Sequence, residues 1–254
     1  MKRVAGAEIF LCVGLNMDDW AVRLARAAGP RQRVVALGDA LAERKVLPDV
    51  DDVLSSTETI EGETADDGHA DDDHDHHGHH HDHGPVNPHF WLDPVLARES
   101  LQEIYEALAA AAPEYAEEFS ANAQQYAVEL EDLDRELART LGPVRGRGFV
   151  SFHNAFPYLA HRYGLTIVAV IEESPGKTPS ERYVRRVADR LRALGVKTVF
   201  SEPQLNPRVA QILAGEVGAE VDVLDPYGST VDEDRDTYLE LMRFNADKLR
   251  RALE

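Results

Sequence analysis

The sequence predicts an α/β protein with mainly parallel sheets. Short β-branched runs alternate with longer amphipathic stretches, the strands fall into an early and a late group, and an unbroken helical pattern separates the two groups. The 254 residues suffice for one large domain or for two lobes, each with its own core. A hydrophobic share of 43% and a charged share of 29% are those of an ordinary globular chain, so wholesale disorder is excluded.

In chain order, strands are expected at Glu8 to Val13, Arg33 to Leu37, Gly148 to Phe152, Thr166 to Ile171, Lys197 to Ser201 and Glu220 to Leu224. Between the groups, Tyr115, Phe119, Tyr126, Leu130, Leu133 and Leu137 recur mostly three, four or seven residues apart, with no Gly or Pro inside Pro113 to Leu141. A helix of that length extends roughly 40 Å at 1.5 Å per residue. It either bridges two lobes or lies along the outside of one domain. A second helix is expected from Pro179 to Leu194, with Thr178 as cap, Pro179 in the first turn and Gly195 as the stop.

The net charge of −19 is mostly local, because 13 acidic residues and no Lys or Arg fall between Asp49 and Asp82. With no concentrated basic face, nucleic acid is excluded as a partner and cations are favoured. Cys12 is the only cysteine, so a metal site here must use His, Asp and Glu. The opening residues Met1 to Ala7 carry one basic pair but no apolar core of a signal peptide, so the sequence as it stands is expected to remain cytoplasmic.

Nine of the eleven histidines lie between His69 and His89. Eight of them, His69, His74, His76, His77, His79, His80, His81 and His83, are mixed with seven aspartates in Asp66 to His83. With no apolar side chain larger than Ala70, this stretch is expected to be a mobile loop, about 62–84, inserted in the first lobe. Imidazole and carboxylate both suit zinc and similar ions, so transient, multiple, low-affinity metal binding is expected there.

Three further groups stand at positions that favour a defined site. His89 lies between two prolines in Asn87-Pro88-His89-Phe90-Trp91-Leu92-Asp93-Pro94, where the backbone direction is fixed. His153 and Asp225 each follow or close an expected strand, and Glu202 follows another in Ser201-Glu202-Pro203. Ligands of open α/β sheets gather beyond the carboxyl ends of strands. Each residue alone also has a structural explanation, as a hydrogen-bonded histidine, a turn-capping Asp or a Glu that caps a helix or pairs with an arginine. Two His and a carboxylate are also the ligand set of many zinc hydrolases. The sequence offers no His-Glu-x-x-His helix, nucleophile elbow or phosphate loop in support of that alternative.

Taken together, Val13-Gly14-Leu15, Trp20, the histidine-rich loop, Asn87 to Pro94, Asn122, Tyr126, Ser151 to Phe156, Tyr163-Gly164-Leu165, Ser201 to Gln204 and Leu224-Asp225-Pro226 give a chain that resembles the cluster A-I, ZnuA-type zinc-binding proteins of bacterial ABC transporters. The resemblance implies two α/β lobes, 1–112 and 143–254, joined by one long rigid helix at 113–142, with metal held between them. It implies Zn²⁺ as the cargo, His89, His153 and Asp225 as ligands, and Glu202 as a group beside the cleft. Manganese-selective relatives usually carry Glu where His153 stands, so histidine there points to zinc.

It also implies a monomer outside the cytoplasm, an ABC permease in the membrane as partner and a periplasmic zinc chaperone as a further one. Similar proteins begin with a signal peptide, a first βα unit and another metal-binding histidine, none of which precedes Glu8 here, so the N-terminal lobe is expected to be incomplete. A zinc hydrolase using the same three residues and a cytoplasmic zinc buffer relying on the loop are the alternatives.

Overall fold

The computed structural model describes residues 6–28, 33–55, 57, 86–172, 177–232 and 234–254. The histidine-rich segment 66–83 lies outside the described residues.

The N-terminal half contains β1 (Ile9–Cys12), α1 (Asp19–Ala28), β2 (Arg33–Ala36), α2 (Leu37–Glu43) and α3 (Val50–Leu54). A 3₁₀ turn at Phe90–Leu92 leads into α4 (Pro94–Glu99), α5 (Leu101–Ala111) and the long α6 (Ala116–Leu141). The C-terminal half runs through β3 (Gly148–His153), α7 (Pro157–Tyr163), β4 (Thr166–Glu172), α8 (Glu181–Leu194), β5 (Thr198–Ser201), α9 (Arg208–Val217), β6 (Glu220–Val223) and α10 (Tyr238–Leu253). All six expected strands are present, each end within one residue of its expected place.

The strands pair in parallel as β1 with β2, β3 with β4 and β5 with β6, and β3 also lies close beside β5. That side-by-side arrangement matters for function, because it brings the carboxyl ends of β3, β5 and β6 to one edge.

Helix α6 packs on α4 and α5 from the N-terminal half and on α10 from the C-terminal half. Leu130, Leu133, Leu137 and Leu141 form its buried stripe, at offsets that return to one face of a 3.6-residue helix. The stripe is shorter than the sequence pattern suggested. Tyr115 belongs to a preceding 3₁₀ turn (Pro113–Tyr115) and is 53% exposed, with its ring against Phe119.

The second expected helix starts later than its sequence pattern implied. Its cap is Ser180 rather than Thr178: the Ser180 hydroxyl accepts from the Tyr183 backbone N–H at 3.2 Å, and the helix begins at Glu181. Pro179 therefore precedes the cap. Gly195 ends the helix with φ 64°, a left-handed conformation that a side chain would disfavour.

One core fills the space between α6, β3, α7 and α10, and a second lies under α8 and α9. A third, smaller core joins Leu41, Val53, Phe90 and Leu96 to Tyr158 of α7. Among the described residues no helix is long and apolar enough to cross a membrane.

Candidate metal centre

His89 is delivered by a stiff turn. Pro88 restricts the backbone before it, and the 3₁₀ turn that follows runs into α4, whose first turn is capped by the Asp93 carboxylate accepting from the Val95 N–H at 2.8 Å. Hydrogen bonds from several of its residues draw this segment onto the C-terminal half. The Tyr158 hydroxyl donates to the Asn87 carbonyl at 2.9 Å, the Trp91 indole N–H to the Pro226 carbonyl at 2.9 Å, and the Tyr238 hydroxyl to the Trp91 carbonyl at 2.7 Å.

His153 is the last residue of β3, and Glu202 directly follows β5. The two imidazoles meet with their Nε2 atoms 3.2 Å apart and their ring centroids 5.0 Å apart. His89 is 6% and His153 3% exposed, so bulk water does little to screen them.

The protonation of both rings follows from their neighbours. Asn87 Oδ1 lies 3.0 Å from the His89 backbone N–H, which fixes that atom as the amide oxygen, and it also lies 3.0 Å from His89 Nδ1. His89 Nδ1 must therefore carry the proton. On the other ring, the Glu202 carboxylate accepts the His153 backbone N–H at 3.1 Å and lies 2.6 and 2.7 Å from His153 Nδ1. His153 Nδ1 is then the donor as well.

With both rings neutral, the two Nε2 atoms present bare lone pairs to each other. That is repulsive unless a cation sits between them. A proton is a poor choice at His89, because burial, and then the neighbouring His153, push its pKa down to about 3. A metal ion bound by both Nε2 atoms is another way to join the pair. Two nitrogen ligands at about 2.0–2.1 Å on a tetrahedral Zn²⁺ stand roughly 3.3 Å apart, which is close to the spacing of this pair. The Glu202–His153 contact is the carboxylate–histidine arrangement that orients and strengthens an imidazole ligand.

Asp225 follows β6 and is fully buried, but its carboxylate is turned elsewhere. Oδ1 accepts from Gln204 Nε2 at 2.8 Å and from the Tyr227 and Gly228 N–H groups at 3.0 Å, while Oδ2 is 3.0 Å from Arg235 Nε. Its backbone is held on both sides by the Asn245 amide. Among the described residues, no group of three or more His, Cys, Asp or Glu stands close enough to hold one metal. The structure thus joins His89, His153 and Glu202 and leaves Asp225 with Arg235. The eight loop histidines, His69, His74, His76, His77, His79, His80, His81 and His83, lie outside the described residues.

Sequence reasoning assigned no role to Asn87 or Arg235. An Asn two residues before a histidine is a signal for Asn87, since that spacing lets the side chain accept the histidine's own backbone N–H. Nothing local marks Arg235 as the partner of a residue ten positions earlier.

This fold defines a class, the α/β proteins with small parallel sheets built around one long helix. A solved structure described as the crystal structure of ZnuA superposes with a TM-score of 0.75 at 23% identity, over 99% of this chain and 82% of that one. The laminin-binding protein Lmb of Streptococcus agalactiae, described as an adhesin with metal-transporting activity, gives 0.74 at 26% identity over 100% and 83%.

The chain belongs to the family described as ZnuA, zinc-uptake complex component A, periplasmic, whose model matches residues 1–252. The high-affinity zinc uptake system protein ZnuA of Brucella abortus (strain 2308) is 34% identical over 170 residues, 67% of this chain and 51% of the relative. The zinc-binding lipoprotein AdcA of Streptococcus pneumoniae (strain R6) is 29% identical over 259 residues, 100% of this chain and 47% of the relative. The chain therefore spans about half the length of these two relatives.

Proposed function

We propose that this chain is a zinc-binding solute-binding protein that holds Zn²⁺ for an ABC importer in the membrane and performs no catalysis. The observation that carries the reading is the His89–His153 pair, with Nδ1 of each ring against an acceptor oxygen and the two Nε2 atoms 3.2 Å apart. Membership of the zinc-uptake family and the zinc-related names of the relatives support the same cargo.

In this reading, residues 1–112 and 143–254 are lobes on either side of 113–142. Asp225 joins the two histidines when the ion is bound, and Glu202 holds His153 in place. The loop histidines collect zinc at low affinity and raise its concentration near the cleft. The protein works as a monomer outside the cytoplasm, delivering zinc to the permease and accepting it from a periplasmic chaperone where one is present.

Zinc titration against a competing chelator tests this on wild type, on His153→Ala and on a chain lacking 66–83. His153→Ala should abolish the tightest site, and the deletion should lower stoichiometry while leaving that site intact. A His153→Ala protein with unchanged tight binding would leave only a loop-based zinc buffer. Metal-dependent ester or amide turnover that is lost in His153→Ala would instead indicate a hydrolase.

A further inference from the structure

Asp225 has more donors than a turn cap needs and one oxygen that is poorly served. Oδ1 is saturated by Gln204, Tyr227 and Gly228, whereas Oδ2, fully buried, faces Arg235 Nε at 3.0 Å without hydrogen-bonding alignment, so among the described residues both atoms lack a hydrogen bond. A buried carboxylate needs a cation, and here a guanidinium supplies the charge without the geometry.

The guanidinium is also shared. Its other nitrogens lie 2.8 Å from Asp232 and 3.1 Å from Asp234, and its plane stands over the Phe244 ring at 4.9 Å. On its far side Arg235 borders a cavity of about 490 Å³, which Glu202, Lys248 and Phe244 also line. The side chain has alternative partners and space to withdraw.

We infer that Arg235 is an internal counter-cation that competes with the metal cargo for Asp225. The inference rests on the zinc-binding reading of His89 and His153, with Asp225 as their third partner. Without the ion, Arg235 neutralises Asp225 and the site is a histidine pair only. When the ion arrives, it takes Oδ2 and displaces a like charge. The coupling is reciprocal, so the Arg235 contact lowers metal affinity by the factor by which metal loosens Arg235. Arg235 also closes a turn, since the Ser229 N–H donates to the Arg235 carbonyl at 3.1 Å and the Arg235 N–H to the Asp232 carbonyl at 3.2 Å. Withdrawal of its side chain from Asp225 leaves these backbone bonds in place and moves the guanidinium towards Asp232, so Arg235 Nε itself marks the loaded state.

The test is zinc titration under chelator competition on four full-length proteins: wild type, Arg235→Gln, Asp225→Asn and the double variant. Arg235→Gln should tighten zinc binding by about tenfold where Asp225 is present and have no effect in the Asp225→Asn background. Weaker binding in Arg235→Gln, or an equal change in both backgrounds, overturns the competition and leaves Arg235 a structural group. If Asp225→Asn alone changes nothing, the proposal fails through its third ligand. If wild type binds no zinc, the zinc reading itself fails.

Arg235→Gln strands a buried carboxylate and risks misfolding, so a second measurement uses wild type alone. Zinc should shift the nitrogen NMR resonance of Arg235 Nε, the atom that faces Asp225. An Arg235 Nε resonance unmoved by zinc overturns the inference.

Discussion

The Trp91 indole N–H donates to the Pro226 carbonyl at 2.9 Å, across 135 positions of sequence, and so ties the turn that carries His89 to the turn that carries Asp225. This bond joins the two turns directly, with the Tyr238 hydroxyl holding the Trp91 carbonyl from the other side. Trp91→Phe keeps an aromatic ring and deletes the donor, leaving the Pro226 carbonyl without its partner. The expected cost is about 1–2 kcal/mol in urea denaturation, with weaker zinc binding in parallel. An unchanged midpoint and affinity would mean that the two turns are positioned independently.

Glu202 gives the most direct check of the histidine pair. Its carboxylate accepts both the backbone N–H and Nδ1 of His153, fixing ring and tautomer together. Glu202→Gln removes the charge while preserving shape, so zinc affinity is expected to fall about 10- to 100-fold with little change in fold. Chelator competition measures the first, and circular dichroism the second. Equal zinc affinity in the variant would show that the carboxylate does nothing for the ligand.

The contrast between Glu202 and Arg235 explains what the sequence made legible. Strands β1 to β6 and the Leu130–Leu141 stripe were readable because β-branched runs and 3.6-residue spacing are local properties of the chain. His153, Glu202 and Asp225 were readable as candidates because each stands at the carboxyl end of a strand. Their partners were not. Asn245 on α10 holds the Asp225 backbone, and Gln204 holds its side chain, through contacts that depend on how whole elements pack. The cap shift from Thr178 to Ser180 has a local cause instead, since either hydroxyl precedes a helical pattern and only Ser180 reaches the Tyr183 N–H.

Asp93 makes stability depend on pH. Burial pushes its pKa from 3.8 up to about 6, against the opposing Val95 N–H and Arg162 charge. A raised folded pKa favours the folded state when the acid is protonated, so this contribution is complete below pH 3.8 and is lost as pH rises through about 6. His89 acts the other way, because its depressed pKa makes stability fall as pH drops from 6.5 towards 3. The two slopes oppose each other in wild type.

Asp93→Asn separates them, since it keeps an oxygen for the Val95 N–H and removes only the Asp93 titration. The stability of the variant relative to wild type should increase between pH 4 and pH 7.5, by roughly 2 kcal/mol. Urea denaturation at three pH values measures the difference, and a flat one would place the Asp93 pKa near its ordinary value.

Asn87 tests whether tautomer choice is what prepares the site. Its amide oxygen accepts both the backbone N–H and Nδ1 of His89 at 3.0 Å, and its amide nitrogen donates to the Asn154 carbonyl at 2.7 Å, so the side chain cannot reverse without losing both ends. Asn87→Ala frees His89 to place its proton on Nε2, where it can donate to the bare His153 Nε2 and relieve the lone-pair repulsion. That relief stabilises the metal-free pair and blocks the ion. Zinc affinity should therefore fall about tenfold or more, while metal-free stability falls less than three lost hydrogen bonds imply. Nitrogen NMR of the metal-free proteins reads the cause, with a protonated Nδ1 at His89 in wild type and a protonated Nε2 in the variant. If the tautomer is unchanged while affinity falls, Asn87 acts by placing the backbone and not by directing the proton.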